Sequence, residues 1–334
     1  MKTTVRFLIT VAFISFSVFA SVYLDLLLYA RHPPASKANP LVVEISPGQG
    51  FRQTAGLLFK KKIINNPNKF KLFARIKSYD KKIKAGEYVL SSAMSPLTIL
   101  TILESGRVQL HKLTVPEGYN INQIAAIIEK AGFAPRRVFL GHALNATFAR
   151  SMGIDADTFE GYLFPDTYFF HKDTPSEKII TAMMRRFESI YSPEFRKQSN
   201  ALKLSIHQVI TLASIIEKET GAPFERPLIS SVFHNRIKRR MRLESDPTVI
   251  YGLKNFNGNL KRKHLRTLTP YNTYMIRGLP TGPIANPGLK SIEAALFPKE
   301  TGYLYFVSKK DKTHQFSSNL KDHNKAVRKY QLRR

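Results

Sequence analysis

Two acidic residues, Glu217 and Glu219, are the groups in this chain best placed for acid–base chemistry. They close a stretch, residues 205–221, whose apolar spacing predicts a helix about four turns long. Wound at roughly 100° per residue, Ile206, Val209, Ile210, Leu212, Ala213 and Ile216 share one broad face. Glu217 falls between Ile206 and Ile210, inside that face. Glu219 falls near Leu212 at its other margin, and Lys218 points to the opposite side. A charged, unpaired carboxylate on a core-facing surface is costly to desolvate. A raised pKa relieves that cost and gives a general acid near neutral pH. The alternative is that both side chains sit at a helix end, reach water and carry no function. The geometry leaves both readings open, and does not choose between the two residues.

Other chemistries are set aside by what the chain lacks. There is no cysteine, so disulfides, thiol catalysis and thiolate metal sites are excluded. No Gly-rich phosphate loop, Gly-x-Gly-x-x-Gly or Gly-x-Ser-x-Gly string occurs. None of the nine histidines forms a His-x-x-x-His pair, so no metal and no cofactor are expected. Ser-x-x-Lys occurs at Ser78–Lys81 and at Ser318–Lys321, without the Ser-Asp-Asn and Lys-Thr-Gly strings that acyl transfer of the penicillin-binding type would also need.

The elements that must position these residues are spread along 334 residues, enough for about two domains. A hydrophobic content of 43% predicts a folded protein. The net charge of +28 predicts affinity for polyanions: nucleic acid, anionic headgroups or an acidic wall polymer. Residues 7–24 carry no charge, and after Asp25 the apolar character resumes through Tyr29. That length suits one membrane-spanning helix, with Lys2 and Arg6 on the cytoplasmic side. A cleaved signal peptide ending near Val18-Phe19-Ala20 competes, and the continued apolar run favours the anchor. Either way most of the chain is exported, which argues against nucleic acid as a partner.

Residues 1–6 then form a cytoplasmic N-terminus, 7–29 the membrane helix, and 30–40, with three prolines, an extended linker. Residues 41–45 are a strand candidate, ended by Ser46-Pro47-Gly48 and followed by a helical pattern through Leu58. A similar unit recurs in the strand-like 113–115, the turn Pro116-Glu117-Gly118 and the helical 121–128. Between the two, 85–90 read as a strand and 95–103 as a helix opened by a Ser-Pro cap. Strand, turn and short helix at this spacing resemble LysM modules, small folds that bind cell-wall glycans, and this sets a LysM-like domain over residues 41–110. A generic small α+β domain fits the same pattern. The basic run at 60–84 is either a solvated face or a surface for headgroups or wall polymer. Residues 111–157 read as a connecting segment, and 158–334 as the last domain. There, 303–307 predict a strand, with 314–316 as its hairpin partner.

That last domain also holds polar and aromatic residues suited to carbohydrate: Glu160, Tyr162, Asp246, Asn272, Tyr274 and Asn286. Rings can face sugars, and amides can meet hydroxyl and acetamido groups. The same tyrosines could be core residues and the same asparagines could satisfy turns.

The strings Leu212-Ala213-Ser214-Ile215-Ile216-Glu217-Lys218-Glu219-Thr220, Asp246-Pro247-Thr248-Val249-Ile250-Tyr251-Gly252, Tyr271-Asn272-Thr273-Tyr274, Gly278-Leu279-Pro280 and Tyr303-Leu304-Tyr305-Phe306-Val307 closely resemble the endolytic murein transglycosylases, the YceG-like family. The resemblance covers about residues 159–324. It implies an α+β fold: a transmembrane helix, a LysM-like domain and a catalytic domain. It also implies cleavage of the MurNAc–GlcNAc bond inside nascent peptidoglycan strands near the inner membrane, leaving 1,6-anhydroMurNAc ends and helping to terminate glycan elongation. The family's catalytic Glu maps onto Glu217. Peptidoglycan and the membrane are then the partners, with peptidoglycan synthases as further candidates and the catalytic domain on the periplasmic side. A non-catalytic, membrane-anchored peptidoglycan-binding scaffold, in which Glu217 is structural, is the alternative.

Overall fold

The computed structural model describes residues 2–219, 221–254 and 256–332, with side chains from residue 7 onward. Thr220, which ends the first resemblance string, and the side chains of Lys2 and Arg6 lie outside the described residues. The architecture is mixed α+β, as expected, and the chain divides into two compact units.

Unit 1 comprises residues 1–111 and 169–173. It opens with α1 (Lys2–Arg31), then β1 (Pro40–Ile45), α2 (Phe51–Lys60), α3 (Pro67–Ile76), β2 (Gly86–Ser91) and α4 (Pro96–Ser105). β1 and β2 are antiparallel, with Leu41 opposite Leu90 and Val43 opposite Tyr88. Period-two alternation sends Val43, Ile45, Tyr88 and Leu90 into the core and leaves Val42 and Val89 exposed. α2 contributes Ala55 and Leu58, α3 Phe70, Phe73 and Ala74, and α4 Ile99, Leu100 and Leu103. Local signals set the helix ends. The Asn66 side chain accepts from the Asn68 and Lys69 amides ahead of Pro67. Ser95 caps α4 ahead of Pro96, and Gly106 ends it in the left-handed region at φ 69°.

Two features of unit 1 differ from the sequence reading. α3 lies inside the basic run, where charge masked a helix whose apolar face is only Phe70, Phe73 and Ala74. The linker also does not set α1 apart. Leu26 and Ala30 of α1 are buried in the same core. The residues after α1 are tied to the end of β2 by Ala35 N–H to Ser92 O and Asn39 N–H to Ser91 Oγ.

Unit 2 comprises residues 112–168 and 174–334. Its elements, of which β3 and β4 share their outer residues with unit 1, are β3 (His111–Thr114), α5 (Ile121–Lys130), α6 (Arg136–Ala143), α7 (Ala146–Ser151), β4 (Thr167–Phe170), α8 (Ser176–Ile190), α9 (Pro193–Ala201), α10 (Ile206–Glu219), α11 (Arg226–Lys238), α12 (Asp246–Gly252), α13 (Arg262–Leu265), α14 (Leu289–Leu296), β5 (Tyr305–Ser308), β6 (His314–Ser317) and α15 (Leu320–Val327). β5 and β6 form the expected hairpin, with Phe306 opposite Phe316.

α10 is the axis of unit 2. All residues from Val209 to Ile216 are buried, so the helix is enclosed on every side rather than along one face. Ile292, Ala295 and Leu296 of α14 and Ile229, Val232 and Phe233 of α11 are buried on the helices packed against it. Each large aliphatic side chain buried here contributes roughly 1.5–3 kcal/mol. Enclosure requires the polar side chains of α10 to find partners. Thr211 Oγ1 donates to His207 O at 2.7 Å, and Ser214 Oγ donates to Thr211 O and accepts from Ile284 N–H. Arg236, in the basic last turn of α11, is buried. Its guanidinium donates to the carbonyls of Leu304, Arg242 and Leu243, and so joins α11 to the segment entering β5.

Candidate active site

Glu217 lies in the last turn of α10, where the enclosed helix reaches the surface. Its side chain is only 7% exposed. Both carboxylate oxygens are held. Oε1 lies 3.4 Å from the guanidinium of Arg226, and Oε2 accepts from Gly288 N–H at 3.1 Å. Arg226 is the first residue of α11 and Gly288 caps α14, so the two helices packed on α10 fix the orientation of this carboxylate. A cation at a helix N-terminus opposes the helix dipole. Arg226 therefore works against its own helix and toward the carboxylates beside it.

A second carboxylate shares that guanidinium. Glu117, in the turn after β3, places Oε2 4.0 Å from the same Arg226 nitrogen and is half exposed. Burial, and then the charge of Glu217, push its pKa above the usual 4.5, against the pull of Arg226. A side chain at Gly288 would collide with Glu117, since an added Cβ there would meet Oε1 at 1.9 Å. Gly118 holds φ at +73°, a conformation that favours glycine, with the Glu217 side chain packed on it. Lys218 Nζ donates to Gly118 O at 3.3 Å.

The turn carrying Glu117 is latched by Asn286. Gly118 N–H donates to Asn286 O, and both the backbone N–H and the side-chain amide of Asn286 donate to Tyr119 O. Asn286 Oδ1 accepts from Leu163 N–H at 2.8 Å, and the side-chain amide also donates to Glu160 at 3.1 Å. Glu160 in turn accepts from Ile121 N–H at the start of α5 and from the Tyr251 hydroxyl at 2.9 Å. Burial pushes Glu160 up to about 7 even with these donors around it. Glu160 and Asn286 are thus 4% and 0% exposed, and their polar atoms are spent on the protein.

The other residues singled out in the sequence divide in the same way. Tyr162 is buried, with its hydroxyl on His207 Nδ1 at 3.0 Å and its ring edge-on to Phe187. Asn272 is fully buried and donates to the carbonyls of His264, Leu265 and Thr267, fastening α13. Asp246 is exposed and accepts from the Tyr274 hydroxyl at 2.8 Å. Those two line a cavity of about 260 Å³ with Glu219, Arg236 and Glu244. Glu219 accepts from the Ser245 hydroxyl, and burial pushes it up to about 7. Desolvation therefore singles out Glu219. The Glu217 carboxylate is instead anchored at both oxygens beside a second acid. A cavity of about 640 Å³, lined by Gly118, Asn120, Gln123, Lys218 and Tyr251 among others, adjoins the turn that carries Glu117. Among the described residues no cluster of three or more His, Asp or Glu could hold a metal ion.

Glu117 and Arg226 are the two groups that sequence reasoning missed. Pro116-Glu117-Gly118 reads as a turn and nothing more. The available signal for Arg226 was a cation at the start of a helix, where the dipole disfavours it.

A family model described as the YceG-like family matches residues 43–329. The endolytic murein transglycosylase of Bacillus subtilis strain 168 is 36% identical over 315 residues, which cover 89% of this chain and 87% of the relative. That of Streptococcus pneumoniae serotype 2 is 28% identical over 88% of this chain and 59% of the relative. The crystal structure of a putative YceG-like protein from Listeria monocytogenes superposes with a TM-score of 0.61 at 36% identity, covering 86% of this chain and 98% of that one. The chain belongs to the YceG-like family.

Proposed function

We propose that this member of the YceG-like family is an endolytic murein transglycosylase and that Glu217 is its proton carrier. The observation that carries the assignment is the anchoring of Glu217 between Arg226 and Gly288 N–H, with Glu117 on the same guanidinium. The relatives' names agree with it. Glycoside hydrolases commonly need two carboxylates, one of them serving a water molecule or a covalent intermediate. A lytic transglycosylase needs no water. Glu217 gives its proton to the oxygen of the MurNAc–GlcNAc bond as the bond from C1 breaks. The C6 hydroxyl of the same MurNAc then closes on C1, and its proton returns to Glu217. One carboxyl serves first as acid and then as base. Arg226 and Gly288 N–H keep it aimed through both steps, and Glu117 offers negative charge where positive charge develops on the sugar ring.

The substrate class is peptidoglycan. Asp246 and Tyr274, with polar groups open to a cavity, are the sequence-selected residues best placed to meet glycan. Glu160, Tyr162, Asn272 and Asn286 serve the site by holding its loops. We assign α1 as a single-pass anchor in the inner membrane, with the catalytic domain on the periplasmic side, because residues 7–31 form one apolar helix long enough to span. Peptidoglycan synthases are candidate partners near that membrane. Unit 1 is proposed as the LysM-like, glycan-binding part, supported by its strand–helix–helix–strand order. Incubating the full chain with purified murein and looking for anhydro-ended products by mass tests the activity. Tight murein binding with no such products would favour the scaffold.

A further inference from the structure

The last turns of α1 belong to the core of unit 1, with Leu26 3% and Ala30 0% exposed. What remains for the bilayer is residues 7–24, about 27 Å of helix, close to the thickness of the hydrocarbon layer. The bilayer surface therefore lies near Asp25, with no spacer between it and unit 1.

α3 runs beside this part of α1, and two contacts set its direction. Asn66 O, at the start of α3, accepts from the Tyr29 hydroxyl at 2.9 Å. One turn later Lys69 Nζ meets Asp25 at 2.7 Å. Advancing along α3 thus means going back along α1, toward the membrane. The rest of α3 lies at the level where α1 enters the bilayer. Its solvent side carries Leu72 and Ile76, which are 46% and 47% exposed. Lys71 and Arg75 stand beside them and Lys77 follows. A cavity of about 440 Å³ opens at the same place, lined by Arg52, Lys71 and Arg75, with Asp80 as its one carboxylate. Apolar side chains next to cations and a cation-lined cavity suit one surroundings above others, the boundary between acyl chains and anionic headgroups.

We propose that the C-terminal half of α3, with the cavity beside it, is a membrane-docking surface for anionic phospholipid headgroups. Unit 1 is then seated in the headgroup layer rather than held away from it on a linker. This rests on α1 spanning the bilayer, and the test separates the two claims.

The chain contains no cysteine, so a single introduced cysteine can be labelled without background. The full chain is reconstituted into vesicles of phosphatidylcholine, alone or mixed with phosphatidylglycerol. Nitroxide labels are placed at Phe13→Cys, Asn65→Cys and Ile76→Cys, and their access to a water-soluble relaxation agent is measured. The label at 13 should be buried, that at 65 open to water, and that at 76 severalfold less accessible than 65, most of all with phosphatidylglycerol present. Combining Lys71→Gln, Arg75→Gln and Lys77→Gln should return the label at 76 toward water. A buried label at 13 with 76 as accessible as 65 overturns the docking and leaves the anchor standing. A label at 13 open to water overturns the anchor and the docking with it. Shielding at 76 that ignores both the anionic lipid and the triple variant overturns the headgroup recognition.

Discussion

Glu117 and Glu217 meet at one guanidinium nitrogen of Arg226, at 4.0 Å and 3.4 Å respectively. One comes from a turn next to a strand and the other from the end of the central helix. Two acids held by one cation suit the division of labour proposed for them around a single sugar bond. Their orientation depends on Arg226, because Gly288 N–H is the only other polar contact holding the Glu217 carboxylate among the described residues.

Arg226→Met should therefore lower turnover by about 100-fold, the usual penalty for a misplaced catalytic group. Arg226→Lys should recover part of it, since charge is kept and the planar fork is lost. Anhydro-end formation by the two variants, with melting curves to show folding, makes the comparison. Equal turnover in Arg226→Met and the parent protein would remove Arg226 from the site.

Glu117 gains its charge above the ordinary value of 4.5. The rate of the parent protein should change across the pH range just above that value as this charge appears. Glu117→Gln should flatten that limb of the pH–rate profile and leave the fold intact, because the side chain is half exposed. An unaltered profile would show that Glu117 does not act in the reaction.

Asn286→Ala should both destabilise the protein and slow it. It leaves the buried Leu163 N–H without its acceptor and takes the side-chain donor away from Tyr119 O and Glu160, at a cost of roughly 1–3 kcal/mol for the unsatisfied group. The turn that carries Glu117 keeps its two backbone bonds to residue 286 and loses the side-chain part of its latch in the same step. Thermal melting and turnover should fall together. A stable but slow variant would show that the latch serves the site alone.

Glu219 makes stability depend on pH. Its folded-state pKa of about 7 lies above the ordinary 4.5. Below 4.5 both folded and unfolded forms hold the proton and nothing is lost. As pH rises from there through about 7, the unfolded chain ionises first, so stability falls. The loss approaches a plateau above about 7, with a size on the order of 1.4 kcal/mol per pKa unit. Glu160, pushed in the same direction, adds to this slope. Glu219→Gln keeps an acceptor for the Ser245 hydroxyl and removes the charge, so its melting temperature should fall less between pH 5 and 8. A slope identical to that of the parent protein would contradict the desolvation of Glu219.

Helices α1, α2, α4, α5 and α10, the final hairpin and the capped start of α4 were legible in sequence, because local periodicity and capping residues decide them. The enclosure of α10 was legible only in part. Its apolar face predicts one buried side, whereas burial of Thr211 and Ser214 follows from α11 and α14 packing around it. α3 was hidden by the lysines that surround three buried apolar residues. In the site, helix geometry offered Glu217 and Glu219 together, and only the family resemblance chose Glu217. Glu160, Asn272 and Asn286 could be found as unusual polar residues, but a sequence does not say whether an amide faces a ligand or a neighbouring loop. The approach of Glu117 and Arg226 to Glu217 is a property of the tertiary fold, which spacing along the chain does not encode.

The most direct measurement sets Glu217→Gln against Glu219→Gln in the full chain, with purified murein as substrate and anhydroMurNAc ends counted by mass. Both amides preserve shape, and neither can deliver a proton to the leaving oxygen or take one from the C6 hydroxyl. General acid–base catalysis is typically worth about 10²–10⁴-fold per step, and the proposed mechanism gives Glu217 two steps. Glu217→Gln should melt normally and form no detectable anhydro ends, while Glu219→Gln keeps substantial activity. A folded Glu217→Gln protein that still forms anhydro ends, or loss of activity confined to Glu219→Gln, would contradict the assignment of Glu217 as the proton carrier.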